Sequence, residues 1–223
     1  MNAPAAAPVP IFATPFAALP LAVPAALNEA LAALLAARAT EEQRDPETPP
    51  DPLCYRSRED LFDWSADPVA ALRREMLGAL CAVVRATNLG APGEFDRLTV
   101  QARARFALIR PDGGLPAASL PLASWCAIYC VAAPPGPSAR PLSGVLRLYE
   151  PRLGSMFMDA ANWRLRPPFA GGHHTWQPVA GQMAAFPAWV AHEIALNRTD
   201  QDLVLVIARV RFANPGQESA PPW

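Results

Sequence analysis

The sequence predicts a mainly β protein: a jelly roll braced on one outer face by two N-terminal helices. Two observations support this. Apolar residues recur at helical spacing in two segments before residue 87, and from about residue 98 short apolar segments alternate with Pro, Gly, Asn or Asp. Many short strands separated by turns are typical of an antiparallel sandwich or barrel. Helices that precede such strands pack economically against an outer face of the sheets.

The two helices are predicted at about residues 25 to 38 and 67 to 86. The first follows Pro24, a residue tolerated in a first helical turn, and places its leucines on one face. The second begins at Asp67-Pro68, which is typical of a helix start. Its apolar face holds Val69, Leu72, Met76, Leu80, Val83 and Val84.

The strands are predicted from about residue 98. The first segment, "LTVQARARFALI", alternates in part between apolar and polar residues. A turn at Pro111 to Gly114 follows it. The further strand segments are "ASWCAIYCVA", "GVLRLYE", "GQMAAF", "VAHEIAL" and "LVLVIARVRF". In the last of these, residues of both parities are apolar, which indicates a strand covered on both faces.

Composition excludes several classes of protein. With 223 residues, 52% hydrophobic and 17% charged, the chain is too apolar for a disordered protein and long enough for one sizeable core. We expect a single domain over residues 1–213, with a helical brace at about 24–86, a barrel at about 98–213, and a disordered tail at 214–223. The net charge of −1 gives no general attraction to nucleic acid or to an anionic membrane.

The lack of an expected secretion signal and the spacing of the cysteines favour a cytoplasmic protein. The first basic residue is Arg38, and prolines interrupt the apolar N-terminal stretch, so no secretion signal is expected. No run of about 18 uninterrupted apolar residues predicts a spanning helix. The four cysteines form no C-x-x-C pair, which favours free thiols in a reducing compartment.

Four segments carry a resemblance to a known family. They are "IFATPFAALPL" with "LNEALAALL", then "RPDGG", then "GVLRLYEPR", and finally "GQMAAFPAWVAHEIALNRTDQD" followed by a long strand. In that order they resemble a bacterial family of 2-oxoglutarate/Fe(II)-dependent oxygenases, over most of the chain. The resemblance implies a double-stranded β-helix, a cupin-like jelly roll whose mouth holds metal, cosubstrate and substrate.

The resemblance also implies where the site residues stand. In this family two histidines and a carboxylate bind one face of Fe(II), and a basic residue pairs with the distal carboxylate of 2-oxoglutarate. His192 falls on the downstream metal ligand. The other two ligands fall on Ala118 and Leu120, and the basic residue falls on or beside Leu203. The resemblance therefore implies an iron site that is degenerate and a cosubstrate anchor that is lost.

Three residues are candidates to rebuild a metal site around His192. They are His173 and His174, which follow two glycines, and Asp159. Adjacent residues of an extended segment point to opposite sides, so only one of the two histidines can face His192, and Glu193 points away from it. Arg209 and Arg211 share the parity of Leu203 but lie roughly 20 Å along the strand, and an ion pair or a rim position is expected for them.

We further expect an aromatic cavity around the former metal site. Aromatic residues of a jelly roll usually belong to its core. Trp125, Tyr129 and Trp189 nevertheless flank the expected ligand positions, which favours a cavity that they line together with Ala118, Leu120 and Leu203. Cys126 and Cys130 lie on the other face of the Trp125 strand and are predicted to be buried, inert thiols.

Three functions remain open at this point. In the first, the chain is an oxygenase-like protein without iron or 2-oxoglutarate, retained to bind a small molecule or a protein partner. In the second, it is an active Fe(II)/2-oxoglutarate-dependent hydroxylase with a non-standard metal site. In the third, it is a metal-independent enzyme that uses His192 as an acid or base in the same cavity. We expect neither nucleic acid nor a membrane as a partner.

Overall fold

The residues that the structure describes form two antiparallel sheets and three α-helices. The computed structural model describes residues 11–90, 92–134, 142–152, 165–166, 169 and 171–215. The helices are α1 Ala25–Ala37, α2 Asp67–Ala86 and the short α3 Pro92–Phe95, with a 3₁₀ turn at Leu61–Asp63. The strands are β1 Ala17–Pro20, β2 Cys54–Arg56, β3 Thr99–Ile109, β4 Leu115–Ala118, β5 Trp125–Ala132, β6 Leu146–Tyr149, β7 His173–Trp176, β8 Gln182–Pro187, β9 His192–Ile194 and β10 Leu203–Ala213.

The sheets form the jelly roll of a double-stranded β-helix, as predicted. The larger sheet has the order β1-β8-β5-β10-β3-β2, and the smaller has the order β4-β9-β6-β7. All paired strands within them are antiparallel. The long strands β3 and β10 pair along their whole length, from Thr99 with Ala213 to Ile109 with Leu203. The larger sheet is therefore a continuous wall, and the shorter strands of the smaller sheet lie over part of it.

An inter-sheet core fills the space between the two sheets. Its buried residues are Cys54, Ala107, Ile109, Cys126, Ile128, Cys130, Leu146, Leu148, Trp176, Ala184, Phe186, Ala188, Val190, Ile194, Leu203 and Leu205. These side chains are almost all apolar, and their removal from water is the main force that holds the sheets together. As predicted, Cys126 and Cys130 are buried here as free thiols. Burial raises the pKa of Cys130 to about 12, which keeps the thiol protonated and unreactive.

A helix–sheet core covers the outer face of the larger sheet. It joins Leu31 and Leu35 of α1 and the predicted apolar face of α2 to the outward side chains of β3, β5, β8 and β10. In β10, Val204, Val206, Ala208 and Val210 belong to this core, whereas Leu203 and Leu205 belong to the inter-sheet core. Both faces of the strand are covered, as the sequence predicts. Among the described residues, no helix combines the length and apolar character that a membrane crossing requires.

Strand β5 corrects the prediction that Trp125 and Tyr129 line the cavity. Its alternation turns Cys126, Ile128 and Cys130 inward, so Trp125 and Tyr129 face the helices. The Tyr129 hydroxyl donates a hydrogen bond of 2.8 Å to the Asn28 side chain of α1. Asn28 in turn donates one of 2.6 Å to the Val131 carbonyl. Tyr129 therefore fixes the position of α1 on the sheet and takes no part in a cavity.

The sheets also contain strands that the sequence does not predict. β1 and β2 form the two edges of the larger sheet and lie outside the expected barrel residues. β4 and β7 form the two edges of the smaller sheet. Each has only three or four residues, too few for a period of two to stand out from the surrounding sequence.

Candidate functional site

His192 lies at the start of β9 with its imidazole turned into the barrel. The residue is 9% exposed. Its Nδ1 lies 3.0 Å from the Val190 carbonyl oxygen, and its ring meets the Phe186 ring edge to face, with the centroids 4.9 Å apart. A carbonyl oxygen can only accept, so Nδ1 carries the proton, and in the neutral ring Nε2 is the unprotonated nitrogen. The imidazole is thus fixed on two sides by residues of β8 and of the β8–β9 turn.

The surroundings favour a neutral His192. Burial lowers the pKa of His192, and the hydrogen bond to the Val190 carbonyl opposes that shift only in part. The neighbouring carboxylate, Glu193, points to the other face of the strand and binds Arg147 at 2.6 Å, so it does not contact the ring. This agrees with the predicted orientation of Glu193. It also removes Glu193 as the acid–base partner of a metal-independent mechanism.

The smaller sheet arranges four residues in one row. Ala118 of β4 pairs with His192, His192 pairs with Leu148 of β6, and Leu148 pairs with His174 of β7. Directly paired residues of antiparallel strands project from the same face of the sheet, so all four face the barrel interior or its open end. We call this end, marked by Ala118, His192, Leu148 and His174, the mouth.

The row places Ala118 where the resemblance puts a second metal ligand. It is exposed at the mouth, directly opposite His192. Leu120 donates its backbone N–H to the Ala188 carbonyl at 2.9 Å, and its side chain packs against the inter-sheet core. Alanine and leucine side chains offer no lone pair to a metal. Within the described part of the chain, no group of three His, Cys, Asp or Glu side chains is arranged to hold a metal ion.

The position of the cosubstrate anchor is also apolar. Leu203 is 3% exposed in the inter-sheet core, where it lies beside Gly144. A leucine there cannot pair with the distal carboxylate of 2-oxoglutarate, and burying that carboxylate unpaired is costly. The residues at these positions therefore do not fit Fe(II) with 2-oxoglutarate.

The remaining predicted site residues are dispersed. His174 shares the row of His192, with Leu148 between them, and its ring contacts the Phe16 ring with centroids 4.6 Å apart. His173 pairs with Tyr149 and belongs to the other face of the strand. Trp189 is 54% exposed on the turn before β9. The prediction that it lines the interior is therefore wrong. Asp159 lies outside the described residues.

Four charged residues form an arginine–carboxylate network on the larger sheet. Arg105 binds Asp45 at 2.8 Å and also Glu59, and Glu59 binds Arg209. The ion pair expected for Arg209 is therefore present. Arg209 pairs with Cys126 and Cys126 with Phe186, the residue in contact with His192. The network thus lies at the mouth end of the larger sheet, with side chains only 12–22% exposed.

A cleft of about 350 Å³ opens at the mouth beside His192. One wall is the segment of residues 11–16, and a second wall, which the first meets at the contact between Phe16 and His174, is formed by the end of β6 and the start of β7. Leu148, Phe186 and Val190 form its floor. All three are direct neighbours of His192: its strand partner, its ring contact and its hydrogen-bond acceptor. The cleft is therefore continuous with the interior of the barrel beside His192.

The sequence gives little indication of this cleft. The wall at residues 11–16 precedes β1 and has no periodic pattern, and its partner His174 is 158 positions further along the chain than Phe16. The segment around Phe186 and Pro187 carries part of the resemblance to the oxygenase family. The contact between the Phe186 and His192 rings follows only from the fold. The contact between Phe16 and His174 could not be predicted from spacing.

Comparisons with known proteins identify the fold. No protein-family profile and no curated protein matches the sequence. Solved structures do match. A prolyl-4-hydroxylase from Pseudomonas putida has a TM-score of 0.57 and 20% identity, with 88% of this chain and 91% of that chain covered. The 2-oxoglutarate-dependent carbocyclase SnoK of nogalamycin biosynthesis has a TM-score of 0.60 and 10% identity, with 89% and 79% covered.

HygX from Streptomyces hygroscopicus, solved with nickel and 2-oxoglutarate bound, is similar to the same extent. Its TM-score is 0.56 at 15% identity, with 89% of this chain and 83% of that chain covered. At such identities the similarity concerns the fold and not the residues of the site. The chain has the double-stranded β-helix fold of the 2-oxoglutarate/Fe(II)-dependent oxygenases.

Proposed function

We propose that this protein has the fold of an oxygenase but does not use Fe(II) and 2-oxoglutarate, and that it binds a small organic molecule in the cleft at the mouth. The observation that carries the proposal is the register of β4 and β9, which puts the methyl group of Ala118 opposite His192. One imidazole alone leaves an iron ion mostly hydrated, and neither Ala118 nor Leu120 adds a ligand, so we expect iron to be held only weakly at His192.

The cleft supports the binding half of the proposal. Its volume of about 350 Å³ falls in the range of small-molecule sites, about 300–1,000 Å³. It combines an apolar floor with polar groups at its rim, the combination that binding sites use for affinity and orientation. Its floor is built from residues that are rigidly placed in β6, β8 and the turn after β8.

A fragment screen read out at the histidines tests the binding half. The chain has 3 histidines, two on the cleft wall and His192 beneath its floor, so their ring signals in an NMR spectrum report on this site alone. We expect several small organic fragments to shift the His174 signal with saturation. If no fragment of any chemical class shifts a histidine signal, the proposed function is wrong.

A second candidate is an active oxygenase with a non-standard metal site. The observation that favours it is the common row of His174 and His192, with one strand between them. Such a site would bind iron through both imidazoles, so His174→Ala would lower the iron content as much as His192→Ala. Iron content that is negligible in the wild type and unchanged in both variants rejects this candidate.

A further inference from the structure

The cleft shows which chemical class of ligand it accepts, provided that the proposed function is right. Several aromatic side chains line it, and three of them belong to different parts of the fold: Phe16 to the N-terminal wall, His174 to β7 and Phe186 to the floor. Phe16 and His174 contact each other with centroids 4.6 Å apart and an interplanar angle of 59°. Tilted and offset rings of this kind favour a further aromatic ring as a neighbour.

The charges in the cleft cancel. Among the lining residues that the structure describes, the side chains with a full charge are Glu150 and Arg152. They bind each other through two hydrogen bonds, Arg152 Nε to Glu150 Oε1 at 2.7 Å and Arg152 Nη2 to Glu150 Oε2 at 2.6 Å. The hydrogen bond from Arg152 lowers the pKa of Glu150, so the pair stays ionised at neutral pH. A charged ligand would lose its hydration without gaining an unpaired counter-charge.

The floor adds no charge to this balance. Leu148, Phe186 and Val190 are apolar, and burial lowers the pKa of His192 beneath them, which favours the neutral imidazole. An apolar cavity of about 150 Å³ holds one benzene ring. A cleft of about 350 Å³ therefore has room for about two rings.

We propose that the cleft binds an uncharged aromatic molecule of about two rings, which stacks against Phe16 and His174 and rests on Phe186. The polar groups at the rim, the Glu150–Arg152 pair and the His174 ring, would then bind a hydroxyl or carbonyl substituent of the ligand.

Three matched probes test this ligand class: 2-naphthalenemethanol, 2-naphthoate and decahydro-2-naphthol. The first is uncharged and aromatic, the second adds a negative charge, and the third keeps the size without the aromatic rings. We expect 2-naphthalenemethanol to shift the His174 ring signal with saturation, and the other two to bind at least tenfold more weakly. Equal or tighter binding of 2-naphthoate or of decahydro-2-naphthol overturns the proposal.

Variants show whether the probe binds in the cleft. Phe16→Leu, followed at the His174 ring signal, and His174→Leu, followed at the His173 ring signal, should each weaken binding of 2-naphthalenemethanol at least threefold while the melting temperature stays close to that of the wild type. The control is Trp189→Leu, which removes an exposed aromatic ring on the turn next to the cleft. A loss of affinity in Trp189→Leu equal to that in Phe16→Leu would indicate surface adsorption and would contradict the proposal.

Failure of this inference is distinguishable from failure of the proposed function. If the histidine signals respond to fragments of another class, such as aliphatic amines or carboxylates, but not to 2-naphthalenemethanol, the cleft is a binding site and the ligand class is wrong. If they respond to no fragment at all, both are wrong.

Discussion

Replacing Glu59 by Gln should destabilise the protein through the arginine–carboxylate network. The Glu59 carboxylate accepts hydrogen bonds from Arg105, including one of 3.1 Å from Nε, and pairs with Arg209. Burial lowers the pKa of Arg209, and the Glu59 charge opposes that lowering. Glutamine keeps the size of the side chain and one oxygen acceptor but removes the charge. The network then holds two guanidinium charges and a single carboxylate, Asp45.

The burial of the network sets the magnitude. Removing one partner of a fully buried ion pair costs about 3–5 kcal/mol, and exposed pairs are worth about 0–1 kcal/mol. The side chains of Glu59 and Arg209 are each 16% exposed and that of Arg105 is 22% exposed, so the cost should lie nearer the value for a fully buried pair. After an allowance for partial solvent screening, we expect a loss of about 2–3 kcal/mol. In a domain of this size that lowers the melting temperature by about 4–12 °C.

Urea and thermal unfolding, followed by circular dichroism at pH 7, measure this loss. Glu41→Gln is the matched control, because Glu41 binds Arg44 at 2.8 Å but is 79% exposed. We expect no measurable change in that variant. A loss below about 1 kcal/mol for Glu59→Gln would show that the network contributes no more than ordinary surface ion pairs do, and the role given to its burial would be wrong.

Three further predictions concern the helix brace, His192 and the former metal site. Tyr129→Phe removes the 2.8 Å hydrogen bond to Asn28 and should cost about 1 kcal/mol in urea unfolding; a neutral result would show that this hydrogen bond does not stabilise the position of α1. Because the pKa of His192 is lowered in the folded state, its contribution to stability is complete above about pH 6.5 and is lost as the pH falls through the folded pKa. His192→Gln should therefore flatten the pH dependence of unfolding below about pH 6.5, whereas an unchanged slope there would show that His192 makes no such contribution. Ala118→His, Leu120→Asp and Leu203→Arg should be needed together before an iron–2-oxoglutarate charge-transfer band develops anaerobically, and a band in any single variant would show that the site is less degraded than its residues indicate.

Much of the fold can be predicted from the sequence because its signals are local. Helix α1 was expected at about residues 25 to 38 and spans Ala25–Ala37, and α2 spans the expected Asp67–Ala86. Turn residues likewise separate the long strands β3, β5 and β10. The prediction fails at β1, β2, β4 and β7, the edge strands, each of which is extended because it pairs with a single neighbouring strand. Such pairing depends on residues distant in the chain, and so the local sequence does not reveal it.

The candidate site divides in the same way. The opposition of Ala118 and His192 was anticipated through the resemblance, and the register of β4 and β9 agrees with it. The inward face of β5 was misjudged because residues of both parities are apolar in "WCAIYCV", so alternation cannot tell which face meets the helices. Trp189 was misjudged for a different reason. A turn carries it, and the period-two rule does not apply there.

Iron loading followed by a turnover assay tests the central claim most directly. The purified protein is incubated anaerobically with Fe(II) and 2-oxoglutarate, freed of unbound metal, assayed for iron, and then exposed to oxygen while succinate is measured, with His192→Ala as the matched variant. We expect far less than one iron per chain and no succinate above the level of His192→Ala. One iron per chain, with succinate formation that His192→Ala abolishes, would contradict it.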